Sequence, residues 1–247
     1  MRVAFAACLV LACGCAETNI QAIHRLAPAY STYRDDLQRL TATLPAPGSV
    51  SAPVFPRVLD PPPRFNERQM NDPAATAEIL FVADPADPDP EASLHIRSPV
   101  HFCLAWTGPD NPLHPDVWGK RGGLGAECEA ALKRPWLVLF RAVERRLPEV
   151  LRMEGFLVDV PSWRVVGEFP IVVHGRYRPE DVGRGPWAQR AMADIRSAFH
   201  QAARCELSLQ LASMPGAVMV FDSSSCEGAF LQTALPASAQ RGVIVVH

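Results

Sequence analysis

Apolar residues recur at alternating spacings of three and four between residues 23 and 44, and this pattern indicates an amphipathic helix. Pro28 fits best as the first residue of a helix over residues 28–43, because proline is favoured at that position. Three arrangements remain open: the helix self-associates with another copy, it docks on its own domain, or it forms a frayed stalk. The apolar positions are Ile23, Leu26, Tyr30, Tyr33, Leu37, Leu40 and Leu44.

Alternating and continuous apolar runs predict β-strands along the rest of the chain. Residues 94–106 alternate most regularly, and residues 78–83 form a short apolar run. Pro161 and Ser162 predict a hairpin turn, and Met-Pro-Gly at 214–216 predicts a second one. The predicted strands are 78–83, 94–106, 156–160, 163–169, 171–173, 207–211, 217–221 and 243–246.

Three further stretches have the apolar spacing of helices. The first begins near Ala126, the second runs from Pro135 to residue 153 with a kink at Pro148, and the third runs from Pro186 to about Cys205. The apolar stripe of the second is Trp136, Leu139, Val143, Leu147 and Leu151. Strands outnumber helices, so the sequence predicts an α+β fold with a largely antiparallel or mixed sheet and two to three helices.

Composition fits a globular protein and gives no reason to expect a nucleic-acid partner. Hydrophobic residues make up 48% of the chain and charged residues 20%. The formal net charge of −2 gives no global attraction to nucleic acid, so no such partner is expected. The chain contains neither a P-loop nor a dinucleotide-binding glycine pattern, and no cofactor is expected. Four arginines share a broad outer face of the helical stretch 126–153, which predicts a solvated face or, as the alternative, contact with lipid headgroups or an anionic polymer: Arg134, Arg141, Arg145 and Arg152.

Residues 45–63 contain seven of the 24 prolines in the chain. Such a segment favours an extended, semi-rigid conformation with little capacity to form a core. The sequence therefore predicts a proline-rich linker at 45–63. It would separate an N-terminal helical segment at 13–44 from a folded domain at 64–247.

The N-terminus has the features of an export signal. Arg2 precedes an apolar run at residues 3–12, which is too short to span a bilayer. Val10-Leu-Ala-Cys13 resembles the lipobox of bacterial lipoproteins, which implies a signal peptide at 1–12 and lipidation of Cys13. Cys15 is the alternative, because cleavage there leaves four other cysteines. The resemblance implies anchoring in the cell envelope by an N-terminal lipid. The lack of Asp after either cysteine favours the outer membrane.

Four cysteines remain in the body of the chain: Cys103, Cys128, Cys205 and Cys226. In an exported protein an even number predicts disulfides, and three connectivities are open. The sequential one pairs Cys103 with Cys128 and Cys205 with Cys226, which closes two loops of similar size. The alternative chemistry is a zinc site formed by His101, Cys103, His114 and Cys128, although the spacing is irregular.

One arrangement suggests catalysis. A strand at 171–173 precedes His174-Gly175, and a later strand precedes Asp222-Ser-Ser-Ser-Cys226-Glu-Gly228. This order resembles the caspase and legumain-like cysteine peptidases, and the resemblance implies that Cys226 is the nucleophile and His174 its partner. The chain departs from that family because Asp222 lies four residues before Cys226 and a single strand follows. Catalysis also needs a free Cys226 thiolate, which a disulfide to Cys205 would remove.

These observations favour an envelope lipoprotein over an enzyme. The sequence predicts a lipid-anchored chain that has a non-enzymatic binding or structural role with an envelope protein partner. A cysteine peptidase that uses His174 and Cys226 is the alternative.

Overall fold

The computed structural model describes residues 17–66, 74–82, 99–108, 123–146, 149–174 and 186–220. These residues form an α+β fold with four α-helices and a four-stranded mixed sheet, which confirms the predicted class. The helices are α1 (Asn19–Thr43), α2 (Pro99–Trp106), α3 (Leu124–Leu132) and α4 (Pro186–Ala212). The strands are β1 (Arg64–Asn66), β2 (Ala77–Phe81), β3 (Trp136–Arg146), β4 (Val150–Asp159), β5 (Arg164–His174) and β6 (Val218–Val220).

The main sheet has the strand order β2-β3-β4-β5. Strands β2 and β3 are parallel, whereas β3, β4 and β5 form an antiparallel meander. The turn between β4 and β5 contains Pro161 and Ser162, as the sequence predicts. Strands β1 and β6 form a separate parallel pair.

Helices cover both faces of the main sheet. One face presents Phe140, Phe169 and Ile171 to Phe199 and Leu207 of α4. The opposite face presents Leu137, Leu139 and Phe156 to the layer formed by α1, α2 and α3. Because alternate side chains of a strand point to opposite faces, this three-layer arrangement buries both sets of residues in β3 and β4.

The predicted helix over 135–153 is wrong, because this stretch forms β3 and β4. All five residues from Trp136 to Phe140 are buried, since helices cover both faces of the strand. A strand buried on both sides loses the alternation that usually identifies it. Its continuous apolar run therefore also contains residues at helical spacing, such as Trp136 and Leu139.

Two other predictions gave strands where the structure has helices. Residues 99–106 form α2, and residues 94–98 lie outside the described part of the chain. Residues 207–211 belong to α4, which continues seven residues beyond its predicted end at Cys205 to Ala212. In α4, Leu207 and Leu211 lie one turn apart and both pack on the sheet. A spacing of four residues places two side chains on one face of a helix and also on one face of a strand, so it does not distinguish the two. The predicted strand at 243–246 lies outside the described residues.

Helix α1 docks on its own domain, which is one of the three arrangements that the sequence left open. Leu26, Tyr30, Tyr33 and Leu40 are buried against the sheet and its helical layer. The helix begins at Asn19 and not at Pro28, because Thr18 and Gln21 form a capping box there. Pro28 therefore lies inside the helix, and the residue four positions earlier is the exposed His24, whose carbonyl water can reach.

Residues 45–63, named here the strap, are packed against the sheet, whereas the sequence predicts a proline-rich linker with little capacity to form a core. Val50 and Leu59 are buried, and Val54 forms an antiparallel bridge with Glu168 of β5, with N···O distances of 2.7 and 2.8 Å. Trp136 donates its indole N–H to the carbonyl of Pro61 at 2.6 Å. Prolines lack an N–H donor but keep their carbonyl, so an extended proline-rich segment can still pair with a sheet edge.

Candidate functional site

The candidate lipidation residues, Cys13 and Cys15, lie outside the described residues. They precede the first residue of α1 by six and four positions, respectively. A capping box forms the start of that helix. The Thr18 hydroxyl accepts the Gln21 N–H at 3.3 Å, and the Gln21 side chain accepts the Thr18 N–H at 2.9 Å. A docked helix therefore follows the candidate lipid anchor almost directly.

The start of α1 and the neighbouring helix α3 share an exposed surface, named here the α1–α3 rim. Its residues are Glu17, Ile20, Arg25, Glu129 and Lys133. Arg25 binds Glu17 at 2.9 Å and Glu129 at 3.1 Å, and Lys133 binds Glu129 at 2.7 Å. The hydrogen bond from Arg25 lowers the pKa of Glu17, and hydrogen bonds from Lys133 and Arg25 lower the pKa of Glu129. Two cations thus offset two carboxylates.

The predicted Cys103–Cys128 disulfide is present and joins α2 to α3. Both cysteines are buried, at 1% and 2% exposure. The Tyr30 hydroxyl of α1 donates to the Cys128 carbonyl at 2.7 Å, so all three helices meet at this bond. Disulfide sulfurs cannot act as the thiolate ligands that zinc requires, and the alternative zinc site does not form here.

Of the other two members of that zinc set, the described residues contain His101. His101 lies on α2 and its ring stacks edge-on against Phe102, whereas His114 lies outside the described residues. Within the part of the chain that the structure describes, no three His, Cys, Asp or Glu side chains group as a metal site.

A buried ion pair lies beneath the helical layer. Glu78 of β2 and Arg134, just before β3, have exposures of 2% and 8% and bind each other. Glu78 also lies near the first turn of α2, where it accepts the Val100 N–H at 3.4 Å. Buried charges require such partners. The solvated position predicted for Arg134 is therefore wrong, and this pair holds the helices to the sheet.

A second buried pair attaches the strap. Glu154 of β4 is 2% exposed, binds Arg141 of β3 and accepts the N–H groups of Gly48 and Val50 at 2.9 Å each. Arg141 also donates to the Pro45 carbonyl at 2.8 Å, and its guanidinium lies 5.2 Å from the centroid of a phenylalanine ring. The predicted solvated face is thus wrong for Arg141 as well.

The remaining two predicted surface arginines are closer to expectation. Arg152 is exposed and binds Glu144 at 3.1 Å, and Arg145 is partly exposed. The pattern of apolar residues does not single out Glu78 and Glu154 as partners of the other two arginines. Once β4 is assigned as a strand, Glu154 is visible as a charge on the same face as Phe156 and Val158, which are buried under the helical layer.

The described residues contain one member of the candidate peptidase pair, so the arrangement of the pair stays a prediction. His174 is the exposed last residue of β5, opposite Val150, and Cys226 lies outside the described residues. Cys205 is buried on α4 and disulfide-bonded. Because Cys103 and Cys128 bond each other, the partner of Cys205 lies outside the described residues, and its pairing with Cys226 remains a prediction.

No family model, curated protein or solved structure matches this chain. Among the helices of the described residues, none has both the length and the apolar character needed to cross a membrane.

Proposed function

We propose that this chain is a lipid-anchored lipoprotein of the bacterial cell envelope that binds an envelope protein partner and does not act as a catalyst. The observation that carries the proposal is the buried Cys103–Cys128 disulfide in the helical layer. Disulfides of this kind belong to oxidising compartments outside the cytosol. This agrees with the lipobox-like Val10-Leu-Ala-Cys13, which would direct the chain to the outer membrane.

The burial and the contacts of two carboxylates favour a binding role over catalysis. Catalytic carboxylates need access to substrate and a pKa suited to proton transfer. Glu78 and Glu154, in contrast, are buried and bound to arginines and backbone N–H groups. These contacts serve the packing of the helices and the strap. Because these carboxylates are used in packing, we expect the exposed surface of the described residues to act by binding a partner.

Radioactive palmitate labelling tests the anchor. We expect label on the full-length chain in a bacterial host, and its loss in one of the two variants Cys13→Ala or Cys15→Ala. The labelled chain should also fractionate with the outer membrane. If the double variant still incorporates palmitate, the lipid anchor is wrong.

The cysteine peptidase is tested by peptide mapping without reduction. We expect a linked peptide that contains Cys205 and Cys226, because Cys205 is disulfide-bonded. A Cys226 thiol that reacts with alkylating probes, and that loses this reactivity in the variant His174→Ala, would instead support the peptidase.

A further inference from the structure

We infer that the lipid anchor holds the α1–α3 rim against the membrane surface, with α1 pointing away from the bilayer. This inference rests on the proposed lipidation of Cys13 or Cys15. The occupant of the rim is thus a layer of lipid headgroups.

The few residues between the lipidated cysteine and Glu17 limit how far the rim can lie from the membrane. An extended chain spans at most about 3.5 Å per residue. Glu17 follows Cys13 by four residues and Cys15 by two. The Cα atom of Glu17 therefore lies within about 14 Å of the lipidated residue if Cys13 is modified, and within about 7 Å if Cys15 is modified.

Helix α1 cannot act as a stalk that would increase this distance. Leu26, Tyr30 and Leu40 are buried in the core, and Arg25 binds Glu129 on α3. Lifting α1 away would expose this apolar surface to water, which costs roughly 25 cal/mol per Å². The strap follows α1 and packs on the sheet, so it does not separate the domain from the anchor either.

The chemistry of α1 opposes a flat position on the bilayer. A helix that lies in the interface needs an apolar face towards the lipid. The apolar stripe of α1 is already packed on the sheet, and its exposed face carries polar residues such as Ser31, Asp35 and Gln38. Ile20, at the rim, is the large apolar side chain that α1 leaves exposed, at 43%. Only this end of the helix is thus suited to contact headgroups.

The charged side chains of the rim offset one another. The cations Arg25 and Lys133 are paired with Glu17 and Glu129. A rim with offsetting charges has no strong attraction to anionic lipid, which depends on unpaired basic residues. The short tether, and not charge, therefore keeps the rim at the membrane.

Energy transfer to the bilayer tests the orientation. A fluorescent donor is attached through a non-canonical amino acid at Ile20 in one variant and at the exposed Ala42 in the other. These positions lie about 33 Å apart along the same helix. The full-length lipidated chain is placed in vesicles of zwitterionic lipid that contain a headgroup-labelled acceptor. We expect several-fold stronger transfer from position 20 than from position 42. Equal or reversed transfer would overturn the inference.

A spacer variant tests the role of the tether. Twenty Gly and Ser residues inserted between Ala16 and Glu17 should lower the transfer at position 20 to that at position 42. Unchanged transfer would show that the rim binds lipid by itself and would overturn the tether argument.

Palmitate labelling and vesicle association of the same samples separate the two proposals. Their loss removes the lipid anchor and this inference with it. Retained labelling and association with equal transfer overturns the orientation alone.

Discussion

Glu154 shows how one side chain can connect three parts of the chain. Its carboxylate binds Arg141 on the neighbouring strand and accepts two N–H groups from the strap. At 2% exposure the charge has lost its hydration, so each of these contacts replaces a hydrogen bond to water. Glu78 plays a similar part between β2, Arg134 and the start of α2.

We expect Glu154→Ala to lower the free energy of unfolding by about 3–5 kcal/mol, because it removes the buried carboxylate that pairs with the partly buried Arg141 and that accepts the N–H groups of Gly48 and Val50. Urea unfolding followed by circular dichroism measures this change. The matched control is Glu144→Ala on the neighbouring strand, whose carboxylate binds Arg146 and Arg152 in a more exposed setting. It should cost less than about 1 kcal/mol. Similar losses in both variants would show that burial of Glu154 is not what makes its pair important.

Among the elements, those with one covered face were the easiest to predict. The stripe of α1 and the turn at Pro161 and Ser162 each follow from local pattern, and the structure has both. Strand β3 could not be assigned in this way. Its run from Trp136 to Phe140 is apolar at every position because two helical layers cover it, and periodicity then carries no information.

The contacts of the candidate site could be predicted from the sequence only in part. Cysteine parity and the predicted export signal indicated disulfides, and the Cys103–Cys128 bond is one of the pairings that the sequence left open. The ion pairs of Glu78 and Glu154 depend on which residues face inward, and that required the correct strands. The strap was misjudged for another reason. Its prolines predict an extended chain but do not indicate whether a sheet edge is available to receive it.

Helix α1 behaves as part of the core, and this has a direct test. We expect Leu26→Ala to lower the free energy of unfolding by about 2–4 kcal/mol, because it leaves a cavity between α1 and the sheet. The control, Ser31→Ala, lies on the exposed side of the same helix and should change it by less than about 0.5 kcal/mol. Urea unfolding measures both. An unchanged stability in Leu26→Ala would return α1 to the role of a detached stalk.

At the scale of the whole molecule, the sheet separates two apolar clusters with different chemistry. The cluster under α4 consists of apolar residues. The cluster under α1 contains Tyr30, Tyr33 and the disulfide. The Tyr33 ring packs edge-on against Trp163, with centroids 4.8 Å apart. Burial raises the pKa of both tyrosines above the ordinary value of 10.0. The cluster under α1 is therefore the one that makes stability depend on alkaline pH.

The sign follows from proton binding. Above pH 10 the unfolded chain loses its tyrosine protons while the folded chain keeps them, so the folded state becomes less stable as pH rises. The contribution is fully present below pH 10, the ordinary value, and is lost as pH approaches the raised pKa. Each tyrosine contributes a slope of up to about 1.4 kcal/mol per pH unit in that window.

We therefore expect Tyr33→Phe to reduce the alkaline loss of stability, because it removes one titrating hydroxyl and keeps the ring contact with Trp163. Urea unfolding at pH values from 9 to 11.5 measures the slope. Comparison with the unchanged chain cancels the contributions of lysines and of the other tyrosines. Tyr30→Phe should reduce the slope too, but at an added cost of about 1 kcal/mol at neutral pH, since it removes the hydrogen bond to Cys128. If the slope of Tyr33→Phe equals that of the unchanged chain, then Tyr33 titrates normally and α1 does not seal this face of the sheet from water.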